Sequence, residues 1–292
     1  MMKNTRFCAS APHHVTALFE PSINPSDPLA SGSRGVGIAV EPRLLVCEEG
    51  EKSVNSLGPT AKRVVDLLGV QEIGVKTIRP LPPAVGFAVS GATATALALA
   101  LGSRLGLSLR RSLQVAHIAE VVERTGLGDV LAISCGIGLV FRFRAGAPGI
   151  GEVDCKPLPG SVSILGIVLK TMETREFLEH FFKSKAFRLA RERLEAILEN
   201  PTFESFIENV NLFNKESGVL KKTLGERISE LVEKLSGLVT AYVKKGVLIL
   251  LVERERTLEV YEELKGFGLK MYLLEPSRSG LQVWSSVRNA SH

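Results

Sequence analysis

Between Arg79 and Arg104 the chain carries no charged residue, and no other stretch restricts its fold so strongly. An uncharged run of this length either crosses a bilayer as a helix or is enclosed on nearly all sides by the rest of a protein. Pro80, Pro82 and Pro83 open the run, and Ser90, Thr93 and Thr95 sit in its middle. The reading is therefore a buried helix from Gly91 to about Leu105, with no membrane among the partners. Its approach, Val85-Gly86-Phe87-Ala88-Val89-Ser90-Gly91-Ala92-Thr93-Ala94-Thr95, is dominated by small side chains. Small residues at a helix start let backbone N–H groups approach phosphate oxygens where the helix dipole favours negative charge. The same run also suits close helix packing inside a core. It is not a Walker loop, because no Gly-Lys-Ser/Thr triplet stands where that motif needs one.

A chain of 292 residues has room for two lobes. The first, residues 1–160, reads as mixed strand and helix. Residues 4–10 suit a strand, and Gly35–Val40 followed by Leu44–Cys47 suits a β-hairpin across Glu41-Pro42-Arg43. The Pro-, Ser- and Asp-rich stretch from Pro21 to Ser33 reads as a loop. A short helix is expected over Ala61–Leu68, a strand over Ile73–Ile78 and an amphipathic helix over Leu109–Arg124. Val130–Ile133, Gly138–Phe143, Val153–Lys156 and Val162–Leu169 read as strands. The second lobe, residues 161–292, is richer in charged helical segments: Lys185–Glu199, Thr202–Lys215 and Leu224–Val243. Strands at Val247–Val252 and Leu269–Leu274 flank a helix near Arg256–Leu264, an α+β arrangement.

Charge and composition narrow the function classes. Thirty-six basic against 31 acidic side chains leave +5, which suits an anionic ligand. With three Tyr and one Trp there is little to stack bases on, so no nucleic-acid partner is expected. Cys8, Cys47, Cys135 and Cys155 lie far apart without a C-x-x-C pair, which suggests neither a zinc cluster nor a disulfide framework. The N-terminus lacks an apolar signal core. A reducing cytoplasm is the expected location.

Several polar residues could complete a phosphate site at the small-residue run. Glu120 lies at the border of the apolar face of its helix, where a carboxylate can reach a divalent ion beside phosphate oxygens; alternatively it pairs with Arg124 at i,i+4. Asp129 ends the turn Thr125-Gly126-Leu127-Gly128-Asp129 and is a candidate to orient or deprotonate an attacking hydroxyl, or a turn aspartate bonding its own backbone. Arg142 and Arg144, two apart on a strand, are read as facing one side, either as a carboxylate fork or as exposed edge charges. Ser33 and Arg34 offer a hydroxyl and a guanidinium after the long loop. His14, near Glu20, is either a catalytic imidazole or a buried, hydrogen-bonded one.

Four segments occur together and in order: Pro12-His13-His14-Val15-Thr16 with Phe19-Glu20; Asp27-Pro28-Leu29 with Gly32-Ser33-Arg34-Gly35-Val36-Gly37; Gly86-Phe87-Ala88-Val89-Ser90-Gly91-Ala92; and Gly126-Leu127-Gly128-Asp129. On these the chain resembles the GHMP family of small-molecule kinases, and within it the archaeal branch acting on pantoate. The resemblance implies a two-lobed α+β fold with a ferredoxin-like C-terminal lobe, and ATP and Mg²⁺ as cofactors. It implies that Gly86, Phe87, Ala88, Val89, Ser90, Gly91 and Ala92 line the nucleotide phosphates. Ser90 and Glu120 would hold the metal, and Asp129 would engage the acceptor hydroxyl. Ser33, Arg34, Arg142 and His14 become candidates for the pantoate carboxylate and hydroxyls, and a homodimer is compatible with similar kinases. Mevalonate-like or sugar alcohols are alternative substrates within the family, and a binding module without turnover is a third reading. Two departures stand out. Ala88 and Thr93 occupy positions where glycine is expected, and the family's third segment, near Gly237–Gly246, is barely recognisable.

Overall fold

The computed structural model describes residues 5–71, 73–169 and 185–287. Two long antiparallel strands, β1 (Thr5–Ser22) and β2 (Gly32–Ser53), organise the N-terminal half. Their pairing runs from Cys8 opposite Cys47 to Ser22 opposite Gly32, with irregularities between Ala11 and His13 and between Thr16 and Leu18. The sequence reading ended the first strand at residue 10 and folded the second into a hairpin at Pro42; both strands instead run on. Ala11 pairs with Leu44 and His13 with Val40, so Pro12 falls opposite the 41–43 segment. Two residues without N–H groups thus face each other where no ladder bond is needed, and a bulge lets both strands continue.

The sheet grows from this pair. Beside β2 lie β3 (Gly74–Ile78) and β4 (Leu139–Arg144), and β5 (Glu152–Lys156) pairs with β4. Against it pack α2 (Val89–Arg104) and α4 (Asp129–Cys135), and on α2 in turn lie α1 (Pro59–Leu68) and α3 (Leu109–Val122). From Val89 to Gly102 every residue of α2 except Ser90 is buried, as an uncharged Ala/Leu sequence requires. Among the described residues no helix is long and apolar enough to cross a membrane. The Val130–Ile133 run, expected as a strand, is the body of α4. Its apolar side chains are buried and Gly136 closes it in the left-handed conformation, so packing overrides the strand preference of a four-residue apolar run.

The C-terminal half follows the order β6 (Val162–Val168), α5 (Lys185–Glu199), α6 (Phe203–Ser217), α7 (Val219–Leu224), α8 (Glu226–Lys234), β7 (Leu238–Lys244), β8 (Val247–Glu253), α9 (Thr257–Lys265) and β9 (Lys270–Pro276). Its strands stand in the order β9-β6-β8-β7, all antiparallel, the ferredoxin-like βαββαβ arrangement. The single helix expected over Leu224–Val243 is not formed. Gly225 and Gly237 adopt positive φ, and Val239-Thr240-Ala241-Tyr242-Val243 is β-branched and aromatic enough to form β7. Strand β9 also touches β2, Val40 opposite Pro276. The last strand, β10 (Gln282–Val287), pairs with β1, returning the chain to the first sheet. The molecule is a two-lobed α+β fold.

The four cysteines, expected to be unpaired, form two disulfides: Cys8–Cys47 across β1 and β2, and Cys135–Cys155 between the last residue of α4 and β5. Sequence spacing does not reveal them because strand register and helix docking, rather than a local motif, bring each pair together. Loops of 39 and 20 residues correspond in the chain-entropy model to about 3–4 kcal/mol each. Alkylation of the unreduced, denatured protein is expected to label no cysteine, and Cys135→Ser is expected to lower unfolding free energy by about 3 kcal/mol. Full labelling without reductant would overturn the pairing.

Candidate active site

The start of α2 is held from three sides. His13 Nδ1–H donates to the Phe87 carbonyl at 3.2 Å, fixing the loop to the bulge in β1; burial lowers this imidazole's pKa to about 4, so it is neutral near pH 7. Ser90 Oγ is 2.8 Å from Thr60 Oγ1, which is 2.8 Å from Thr125 Oγ1. Thr93 Oγ1 donates to the Val89 carbonyl at 2.7 Å. The residue before the helix, Ala88, has φ 53°, a left-handed conformation that is costly with a Cβ. Gly86 (φ 125°) could not carry one at all, since a Cβ there would lie 2.4 Å from the Lys244 carbonyl oxygen. A cavity of about 230 Å³ opens over Gly86–Ser90, walled by Thr60, Arg79, Thr125, Asp129 and Lys245. The small residues therefore line an open cup, as a phosphate site needs.

Beneath the cup lies Glu120, on α3 with 0% exposure. Its Oε2 accepts from the Val130 N–H at 3.4 Å, while Oε1 has no hydrogen-bond partner. Arg124 is exposed, so pairing with it does not explain this carboxylate. Space around Oε1 is kept by glycine: a Cβ at Gly91 would approach it to 2.8 Å and one at Gly126 to 2.2 Å. Burial, with the Asp129 charge adding to it, pushes the Glu120 carboxyl up to about 8.

Asp129 is the first residue of α4, with its side chain 18% exposed. His14 Nδ1 lies 3.3 Å from its Oδ1 and 3.3 Å from Thr16 Oγ1. Burial would raise the Asp129 carboxyl. The His14 hydrogen bond and the charges of Lys244 and Arg142 outweigh that and hold it below the usual carboxylate range. Burial likewise lowers His14 to about 4, so the ring serves as a neutral donor positioning an ionised Asp129.

A divalent cation fits this donor set. The unpartnered Glu120 Oε1, the Ser90 hydroxyl near the cup and an ionised Asp129 supply hard oxygen ligands, which Mg²⁺ uses sparingly beside phosphate and water. Among the described residues no group of three or more His, Cys, Asp and Glu side chains forms a self-sufficient metal site. A cation here would share its coordination with a bound phosphate.

A second, smaller cavity adjoins the first. Asp129, Ser33, Arg142, Thr16, Phe19 and Lys244 contribute to its wall. Arg142 is 1% exposed; its Nε donates to the Ser33 carbonyl at 3.2 Å and its Nη1 has no partner, the state of a guanidinium ready for an anion. Arg144 does not join it. A register shift between the two, with Arg142 opposite Val153 and Arg144 opposite Glu152, breaks the alternation that would put both on one side. Arg144 instead donates to the Ile150 carbonyl at the surface. Arg34 is not brought to the cavity either: it bonds Glu20 at 3.2 Å and also Glu195 of α5. Successive β2 residues point oppositely, so Ser33 and Arg34 part company.

Thr60, Thr125, His13, Lys244 and Lys245 also belong to the site and escaped the sequence reading. The signal for the lysines was Lys244-Lys245-Gly246 between two apolar runs, a hairpin turn concealed by assigning 224–243 to a helix. Burial lowers Lys244 to about 7 against the opposing pull of Asp129, and its Nζ sits 4.1 Å from the Phe19 ring centroid.

Comparison with known proteins agrees with this geometry. Residues 55–137, which span the cup, Glu120 and Asp129, match the family model described as the GHMP kinases N terminal domain. The pantoate kinase of Thermococcus kodakarensis is 30% identical over 244 residues, 76% of this chain and 80% of that protein. The pantoate kinase of Methanocaldococcus jannaschii is 27% identical over 265 residues, 85% and 93% of the two chains. A solved structure described as a phosphotransferase related to the CoA biosynthesis pathway superimposes with a TM-score of 0.79 at 24% identity, covering 96% of this chain and 98% of its own. The similarity extends through both lobes, well past the phosphate cup, and it makes the chain a kinase that belongs to the GHMP kinase family.

Proposed function

We propose that this chain is an ATP-dependent pantoate kinase, transferring the γ-phosphoryl group of ATP to the primary alcohol of pantoate to give 4-phosphopantoate for coenzyme A synthesis. The observation that carries the reading is the joining of two cavities at Asp129. One is floored by helix-start backbone and the other holds a buried arginine with a free N–H edge. Polyphosphate suits the first, and the second, of about 30 Å³, suits the carboxylate end of a small hydroxy acid on Arg142. The resemblance of the chain to pantoate kinases supports the choice of acid.

In this mechanism the N–H groups of Gly86–Gly91 take the phosphate oxygens, the Ala92 N–H being held by the Ala88 carbonyl at 2.9 Å. Asp129, kept ionised and aimed by His14, accepts a hydrogen bond from the substrate alcohol and lines its oxygen up behind the γ-phosphorus. Its low basicity suits a loose transition state, in which positioning matters more than proton abstraction. Ser90 and Glu120 would hold Mg²⁺, which when bound would supply positive charge against the phosphate oxygens. The cytoplasm, where ATP is available, is the location proposed.

Asp129→Ala is expected to lower kcat by about 10²–10⁴-fold with little change in ATP affinity, measured by coupled ADP release; a folded variant at the wild-type rate would refute the role. Screened against pantoate, mevalonate, phosphomevalonate, homoserine and galactose, the protein is expected to consume ATP with pantoate, and preference for another alcohol would reject the substrate. Glu120 gives a pH test in metal-free buffer. Its folded pKa is raised, so its contribution to stability is complete below the ordinary carboxylate range and is lost as pH rises towards about 8. Glu120→Gln is therefore expected to melt above the wild type at pH 8 and beside it at pH 4, read by scanning calorimetry; equal offsets at both pH values would contradict the buried-carboxylate account.

A further inference from the structure

No charged residue occurs between Arg79 and Arg104, so the phosphate loop itself carries no cation. Two cations line the cup, Arg79 at the start of that run and Lys245. Lys245 comes from the turn between β7 and β8. The Gly246 N–H donates to the Val85 carbonyl at 3.1 Å, and Gly86 approaches the Lys244 carbonyl so closely that a Cβ would not fit. The backbone of the C-terminal lobe is thereby seated directly on the loop that leads into α2.

The seating places Lys245 in a particular position. Comparing the linings of the two cavities, Asp129 and Lys245 are the two residues common to both among those described. A phosphoryl group leaving nucleotide in one cavity for an alcohol in the other passes between them. The Lys245 charge also acts on Glu120, which puts it on the metal side as well. Its backbone is left-handed, φ 53°, at a turn position where glycine or asparagine is the relaxed choice. A lysine in a left-handed conformation at a site, where glycine would be relaxed, points to a role for its side chain.

We propose that the Lys245 ammonium accompanies the γ-phosphoryl group across the boundary between the cavities, a place that Arg79, which lines the first cavity and not the second, does not reach. The inference rests on the phosphotransfer reading of the site. In the step, the bond from the γ-phosphorus to the β–γ bridging oxygen breaks and leaves its electron pair on ADP. The bond from the alcohol oxygen to the γ-phosphorus forms, and the alcohol proton, hydrogen-bonded to Asp129 until that bond is made, is released to water. Lys245 takes no proton; it offsets the negative charge of the three transferring oxygens.

The test uses Lys245→Gly, which relieves the left-handed residue and so is not confounded by misfolding, together with Lys245→Arg. Lys245→Gly is expected to melt at or above the wild-type temperature, to bind ADP as the wild type does, and to lose about 10²-fold in kcat. It is also expected to bind the ADP–aluminium fluoride complex about 10-fold or more weakly, with Lys245→Arg recovering much of both losses. A Lys245→Gly protein with wild-type kcat and wild-type affinity for ADP–aluminium fluoride overturns the proposal, as does an equal loss in Lys245→Gly and Lys245→Arg. Failure of the substrate reading is distinguishable, because it shows in the wild type. If pantoate is not its acceptor, the kcat comparison moves to the alcohol that is, and the ADP–aluminium fluoride comparison decides the role of Lys245 without any acceptor.

Discussion

Buried charge is the constraint on which the rest of this structure depends. The Asp129 charge acts on Glu120, with Arg142 and Lys244 beside them. An isolated charge in an interior would cost several kcal/mol. Burial keeps the Glu120 carboxyl protonated up to about 8, and Asp129 stays ionised because β1, β4 and the end of β7 bring His14, Arg142 and Lys244 to it. The two lobes are therefore held to each other by electrostatic necessity as well as by the strand contact between β2 and β9. A neighbourhood with unpartnered atoms on both Glu120 and Arg142 is poised for ligands of both signs.

Much of the fold was legible where a local rule decides it. The uncharged run became a buried helix because nothing else accommodates it in a globular chain, and the flanking helices and most strands follow their hydrophobic periods. What failed were the places where a distant partner decides. Pro42 reads as a turn until Pro12 is known to face it, and Val130–Ile133 reads as a strand until the core closes round it. Leu224–Val243 reads as one helix if the positive-φ glycines at 225 and 237 are taken for ordinary ones.

The site divides in the same way. Ser90, Glu120 and Asp129 were visible as small-residue and acidic features at element boundaries, and their convergence depends only on how three successive helices pack. The arginines were not separable, because a one-residue register shift decides which of Arg142 and Arg144 turns inward. Arg34 was misjudged for the converse reason: alternation along β2 is regular there, and it sends Arg34 to Glu20 and Glu195. Both lysines came from a region whose secondary structure had been assigned to the wrong type.

Helix α4 is only seven residues long, less than a helix needs to persist unaided, yet its first residue is Asp129, the group proposed to aim at the alcohol. The covalent tie from Cys135 to Cys155 pins the opposite end to a sheet strand. Fraying from that end is blocked, so the direction of the helix axis, and with it the aim of Asp129, is inherited from the rigidity of the sheet. Heat that would loosen an untethered turn of helix leaves this one pointing the same way.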